Sequence, residues 1–278
     1  MHPDIWFYNL NIYFYNVPRI AFSIFGLEIF WYGIIITIAV TCGYIIAILE
    51  AKRTEQDTDL YSDLILWVVP AGAIGARLYY IIFAPNQSLL DFFNFRGGGL
   101  AIYGLIIGAL PIALLFCKVK KVNKWVIMDT AVFGLIIGQI IGRWGNFINR
   151  EAFGGYTNNI FALRYRVDQL SYLPQELVET IINVDGIQYI QVHPTFLYES
   201  MLNLSLFGFM NFYKTRKTFN GEIFMVYLIG YGTIRAFLET LRTDSLMIGP
   251  FRTSVLVSII IIIAGIYGMY YNKKKSLS

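Results

Sequence analysis

The chain has little charge, little cysteine and little histidine. Charged residues make up 14% of its 278 positions and hydrophobic ones 56%, with a mean hydropathy of +0.56. That balance excludes an ordinary soluble globule. Cysteine occurs only at Cys42 and Cys117, and histidine only at His2 and His193, with no clustered ligand spacing. A metal centre is therefore not expected, and both cysteines, set in apolar runs, read as small packing residues rather than a disulfide or redox pair. No cationic segment precedes an apolar core near the N-terminus, where Asp4 and many aromatics stand instead, so no cleaved signal peptide is expected. Strand-like alternation is largely missing from the apolar runs, which makes them helices rather than barrel strands. The net charge of +4 says little in itself, because its distribution matters more, and no nucleic-acid partner is expected.

What the chain does have is a series of apolar runs near or above the roughly 20 residues that cross a bilayer. Seven are read, over 28–50, 61–83, 99–117, 125–145, 195–213, 222–241 and 253–271. The fold class is an all-α polytopic membrane protein, a single integral-membrane domain over 1–278. The connections 51–60, 118–124 and 214–221, together with the C-terminal tail, hold all ten lysines. By the positive-inside rule this side is cytoplasmic, which puts the N-terminus outside and the C-terminus inside. Residues 1–27 read as an aromatic-rich interfacial segment. The sizeable segment 155–192 reads as a small β-containing extracytoplasmic cap. Within it, 160–167 partly alternates and 183–188 suggests a hairpin turn between Ile181-Ile182 and Tyr189-Ile190.

The polar residues of the spans gather at one depth. Residues Gly142-Arg143-Trp144-Gly145-Asn146-Phe147-Ile148-Asn149-Arg150-Glu151-Ala152-Phe153-Gly154 pass from the fourth run into a polar segment. Glycine admits close backbone approach, and arginine offers a planar fork of donors for phosphate or carboxylate. For Arg143 or Trp144 alone, a helix cap or interfacial anchor serves as well; the whole cluster points to an anion site. Arg96-Gly97-Gly98-Gly99 opens the third run, with Tyr103 in its first turns, and free N–H groups at a helix start add to this signal. Arg77 lies about 24 Å and Arg235 about 20 Å from the inner edge, at 1.5 Å of rise per residue. Glu199 stands near the outer start of its run, after His193, and Tyr231, Arg235, Glu239 and Arg242 follow on the sixth. Each such charge costs about 2.5–3.5 kcal/mol at a helix centre, so partners are expected. The surplus of arginine over glutamate implies an outward-facing polar cavity poised for an anionic group, with an internal salt-bridge network as the structural alternative.

These motifs resemble prolipoprotein diacylglyceryl transferases. The resemblance lies in Gly142-Arg143-x-Gly145-Asn146-Phe147-x-Asn149-x-Glu151-x-x-Gly154, in His193-Pro194-Thr195-x-x-Tyr198-Glu199 and in Tyr231-Gly232-x-x-Arg235-x-x-x-Glu239-x-x-Arg242. Trp31-Tyr32-Gly33 and Gly75-x-Arg77 extend it over nearly the whole chain. It implies transfer of the diacylglyceryl group of phosphatidylglycerol to the lipobox cysteine thiol of preprolipoproteins, with release of glycerol phosphate and no cofactor. It also implies a bacterial cytoplasmic (inner) membrane location, with the active site facing the outer leaflet. Arg143 and Arg235 would hold the phosphate, the latter kept in place by Glu239. Asn146 and Gly154 would shape the headgroup pocket, with Tyr32 and Glu199 ordering it. Arg77, Arg96, Gly98, Glu151, His193, Tyr231 and Arg242 would complete the binding surface. Where the family often has a histidine proposed as base, this chain has Tyr103, whose ordinary pKa near 10 suits the role poorly unless arginines lower it. The proton acceptor is then Tyr103, His193, Glu199 or no enzyme group. A transporter would more typically place its charges near the midplane within repeated halves, and a metal-dependent head-group transferase would bring clustered aspartates. Neither pattern is seen, and a purely structural protein leaves the asparagine and glycine pattern around Arg143 unexplained.

Overall fold

The computed structural model describes residues 2–83, 92, 101–243 and 247–277. In chain order, strands β1 (Ile5–Phe7) and β2 (Ile12–Phe14) precede a hairpin of β3 (Ile20–Ile24) and β4 (Leu27–Phe30). Four helices follow: α1 (Trp31–Arg53), α2 (Asp59–Phe83), α3 (Ile102–Val119) and α4 (Lys124–Asn149). Strand β5 (Leu163–Arg166), the one-turn helix α5 (Gln175–Val178) and strands β6 (Ile182–Val184) and β7 (Ile187–Val192) lead to helices α6 (Thr195–Tyr213) and α7 (Glu222–Glu239). A short ladder of β8 (Met247–Ile248) and β9 (Phe251–Arg252) feeds α8 (Thr253–Leu277). The architecture is that of an all-α polytopic membrane protein with small β-sheets.

The long helices lie within a few residues of the expected spans, but not all are equally apolar. Five of them, α1 to α4 and α8, are long and apolar enough to cross a membrane. Helices α6 and α7 fall short because they carry polar side chains: Glu199, Ser200 and Asn203 on the first, and Glu222, Arg235 and Glu239 on the second.

The elements form two compact units, residues 1–43 with 132–278, and residues 44–131. In the first, a five-stranded antiparallel sheet runs in the order β2-β1-β5-β7-β6. Ile5 pairs with Tyr165 and Leu163 with Val192. These four side chains and Ile190 are almost fully buried against Phe147 at the end of α4, Phe153 beyond it and Phe196 in the first turn of α6. Each such side chain contributes about 1.5–3 kcal/mol on burial, so the sheet holds the ends of α4 and α6 together. The Phe147 and Phe196 rings lie 5.1 Å apart.

Two expectations are corrected here. Residues 1–27 are not simply an interfacial segment: β1 and β2 complete the sheet, and β1 pairs with β5 more than 150 residues later. Local pattern does not show such a partner. The expected turn over 183–188 is also shorter than read, because the ladder continues from Ile182↔Tyr189 to Val184↔Ile187. Only Asp185 and Gly186 turn, at φ of 51° and 85°, and the Gly186 N–H donates to Asn183 Oδ1 at 2.9 Å. Two consecutive positive φ values suit a tight hairpin between twisted strands.

In the second unit, α2 and α3 meet along a seam of small residues. A Cβ on Gly104 would strike the carbonyl oxygen of Gly75 and Cβ of Tyr79, and one on Gly108 would strike the carbonyl oxygen of Ala71. Such close backbone approach is how helices associate where lipid offers no hydrophobic drive. Gly104→Ala is expected to force the pair apart at a cost of about 1–3 kcal/mol, seen as a lower thermal unfolding midpoint in detergent. An unchanged midpoint would mean that this seam does not hold the two helices. Buried Cys117 packs with Ala51, Tyr61 and Ile127.

Candidate functional site

The first unit brings the ends of α4, α6 and α7 together around one carboxylate. Glu199, a turn into α6 and 2% exposed, lies between two arginines. Arg235 Nη1 donates to Glu199 Oε2 at 2.9 Å, and its Nη2 donates to Glu239 Oε2 at 3.1 Å. Arg143 Nη2 stands 2.8 Å from Glu199 Oε1, in ion-pair contact but without the alignment of a hydrogen bond. The i, i+4 spacing of Arg235 and Glu239 sets both on one face of α7, and tertiary packing delivers Glu199 to them.

This alternation of two arginines and two glutamates is neutral in sum, so the expected arginine surplus is not found within it. The surplus lies instead in what is exposed. The Glu199 and Glu239 side chains are 3% and 2% exposed, whereas Arg235 is 13% and Arg143 24% exposed. The acids are the buried backing, and the open face is guanidinium. Buried charges persist only where partners compensate their lost hydration, and the glutamates supply that compensation from behind.

Around Arg143 the chain is shaped by local contacts. Its Nη1 donates to Asn146 Oδ1 at 3.5 Å, and Asn146 Nδ2 and Asn149 Nδ2 donate to Glu151 Oε1 at 3.0 and 3.2 Å. The Tyr32 ring lies against Gly145, where an added Cβ would come within 2.6 Å of Cδ2. Gly154 N–H donates to the His193 carbonyl at 3.0 Å, Gly155 N–H to the Leu241 carbonyl at 2.9 Å, and Gly154 bridges to Arg242. A Cβ on Gly154 would meet the Leu241 carbonyl at 2.6 Å, so only glycine lets these three segments converge. His193 Nδ1 lies 3.3 Å from the Tyr198 hydroxyl, and burial pushes the imidazole pKa below its ordinary value. Tyr231 stacks on Tyr227 at 5.4 Å.

The remaining expected residues lie elsewhere. Arg77 is in the second unit, on α2 and 2% exposed, where its Nε donates to the Phe92 carbonyl at 3.4 Å. Tyr103 is in the first turn of α3, its ring 6.3 Å from that of Tyr79. Arg96 and Gly98 lie outside the described residues. One contributor, Arg252, escaped the sequence reading, and Trp144, read there as a helix cap or interfacial anchor, gains a partner. Arg252 Nη1 donates to the Glu239 carbonyl from the end of β9, and Trp144 Nε1 donates to Ser200 Oγ at 3.3 Å, tying α4 to α6. Neither contact has a sequence signature, since each joins separate segments of the chain.

Comparison with known proteins gives the family of the chain. Residues 19–271 match the family model described as prolipoprotein diacylglyceryl transferase. A phosphatidylglycerol–prolipoprotein diacylglyceryl transferase of Finegoldia magna is 43% identical over 263 residues, covering 93% of this chain and 97% of that protein. One from Clostridioides difficile is 40% identical over 94% of this chain and 97% of its own length. One from Oceanobacillus iheyensis is 38% identical over 93% of this chain and 89% of its own. A match of this extent takes in the Arg143, Glu199 and Arg235 segments together, and the chain belongs to the prolipoprotein diacylglyceryl transferase family.

Proposed function

We infer that this protein transfers the diacylglyceryl group of phosphatidylglycerol to the lipobox cysteine thiol of preprolipoproteins. The observation that carries the chemistry is the pair of partly exposed guanidiniums backed by buried Glu199 and Glu239. The sulfur forms a bond to a glycerol carbon, the carbon–oxygen bond to phosphate breaks, and the oxygen leaves with glycerol phosphate. Charge accumulates on that oxygen, and donors held ready for it lower the barrier. Arg143 and Arg235 serve the phosphate, with Glu199 and Glu239 holding their guanidiniums from behind. Tyr32, Asn146, Glu151, Gly154, His193, Tyr231 and Arg242 shape the headgroup pocket, and Arg77, Arg96 and Gly98 add to the binding surface. The thiol proton ends on the departing phosphate ester, directly or through Tyr103, His193 or Glu199. Neutral His193 is suited to accept it at pH 7, because burial keeps its pKa below the ordinary value.

The same reading makes α6 and α7 the fifth and sixth of seven crossings, site-lining helices whose buried charges are compensated by ion pairs. It places the N-terminus outside, the C-terminus inside, and the sheet over 155–192, with β1 and β2, as the outer cap of a bacterial inner-membrane protein. The lysine distribution supports this orientation. The test is purified protein in detergent with phosphatidylglycerol and a lipobox peptide. Mass spectrometry should find peptide carrying one added diacylglyceryl mass. Tyr103→Phe run alongside is expected to retain transfer within about tenfold if the proton needs no phenol, and to lose at least about a hundredfold if Tyr103 is the base. No modification by folded protein across several anionic lipids and peptides would overturn the assignment.

A further inference from the structure

A second polar layer lies beside the ion pairs, one helical turn along each helix. Asn203 follows Glu199 by four residues on α6, Gln139 precedes Arg143 by four on α4, and Tyr227 precedes Tyr231 by four on α7. Helix α6 runs antiparallel to both neighbours. Ser200 Oγ donates to the Ile140 carbonyl at 3.1 Å while Phe207 meets Phe133, and Glu199 meets Arg235 while Leu206 lies against Gly230. All three displacements therefore go the same way, towards the middle of the helices. Gln139 Nε2 donates to the Tyr227 hydroxyl at 2.8 Å, closing the layer between α4 and α7.

The layer is incomplete. Asn203 is 0% exposed, yet neither its Nδ2 nor its Oδ1 has a hydrogen-bond partner among the described residues, and Gln139 Oε1 is likewise buried and unpartnered. Buried amides are nearly always satisfied, because an orphaned donor or acceptor forfeits its hydration for nothing. A leucine would fill the position at no such cost. An amide with a free donor here marks a place for an acceptor that arrives with a ligand.

We propose that Asn203 is a specificity residue that donates from Nδ2 to an ester carbonyl of the donor lipid. This rests on the reading of Arg143 and Arg235 as the phosphate site. In a glycerophospholipid the ester groups sit on the same glycerol as the phosphate, and one helical turn, about 5.4 Å, is the scale of that glycerol. An ester carbonyl accepts hydrogen bonds and cannot donate, so it needs a donor such as Nδ2. The acceptor oxygens of Asn203 and Gln139 suit a donor such as water that shares the polar layer with the lipid. The transfer leaves both esters intact, so contact with them selects the lipid without taking part in the chemistry. The layer thereby distinguishes ester-linked from ether-linked chains.

The test compares phosphatidylglycerol carrying two ester-linked chains with the same lipid carrying two ether-linked chains. Wild type is expected to favour the diester roughly fivefold in kcat/KM, the scale of one net hydrogen bond. In Asn203→Leu, and in Asn203→Ala should leucine not pack, that ratio falls to near one. A ratio is insensitive to the fraction of active protein, so partial misfolding does not imitate this result. Equal use of both lipids by wild type, or a ratio unchanged in the variants, would overturn the proposal and leave Asn203 a water-binding residue. Retention of each lipid through native mass spectrometry gives the same ratio without turnover. A wild type that transfers nothing would sink the functional reading, and the retention ratio would still decide this one.

Discussion

Arg143→Ala is expected to lower diacylglyceryl transfer by roughly 10²–10³-fold, the usual loss when one donor to a developing negative charge is removed. Arg143 meets the protein in an ion pair to Glu199, a long 3.5 Å contact to Asn146 and a side-chain contact with Tyr231, and 24% of its side chain is exposed. Its removal leaves Glu199 paired with Arg235, so stability should fall by no more than about 1 kcal/mol. A large loss of rate in a protein that unfolds near the wild-type temperature is the signature of a group acting on substrate. Arg143→Lys keeps the charge but not the planar fork, and recovery should be partial because a bidentate phosphate contact is lost. The measurement is the initial rate of mass gain by a lipobox peptide. If Arg143→Ala transfers at the wild-type rate, the exposed guanidinium face is not the phosphate site.

The second large effect is on stability. Glu199→Leu removes the one carboxylate shared by two arginines, leaving Arg143 without its ion pair and Arg235 with Glu239 alone. Breaking a buried ion pair from one side costs about 3–5 kcal/mol. For a chain of this size that corresponds to a fall in Tm on the order of 10 °C, if unfolding in detergent follows the usual scaling. The double variant Glu199→Leu with Arg235→Leu should be less destabilised than the sum of the two single changes, since the Glu199–Arg235 pair they share is lost only once. It should nonetheless be inactive, because half of the phosphate face is gone. A Glu199→Leu protein with wild-type Tm would show that the ion pairs do not bind α4, α6 and α7 together.

Some of this was legible residue by residue. The helices follow from apolar runs of membrane length, and the placement of α6 over Thr195–Tyr213 coincides with the expected run 195–213. Arg235 and Glu239 share a face by spacing alone. Glu199 stood out because a carboxylate in an apolar run needs a partner, but nothing in the spacing says that it serves Arg143 and Arg235 at once. The expected arginine surplus counted Arg77, Arg96, Arg143, Arg235 and Arg242 against Glu199, Glu239 and Glu151; packing arranged Arg143, Arg235 and the first two of those acids as buried acids behind exposed bases. β1 was missed because three alternating residues near a terminus carry no information about a partner strand at Leu163–Arg166.

The division follows from the range of the forces. Hydropathy, helix period and the cost of charge in lipid act over a turn or two, so the order of residues already determines a polytopic helical protein and a family signature around Arg143. Which atoms meet depends on contacts closed between segments far apart in the chain. The long β1–β5 pairing, the seating of Gly154 between His193 and Leu241, the twofold use of Glu199 and the unfilled amide of Asn203 belong to that second class. They were decided by tertiary packing, because each is a relation between side chains or backbones that no local window contains.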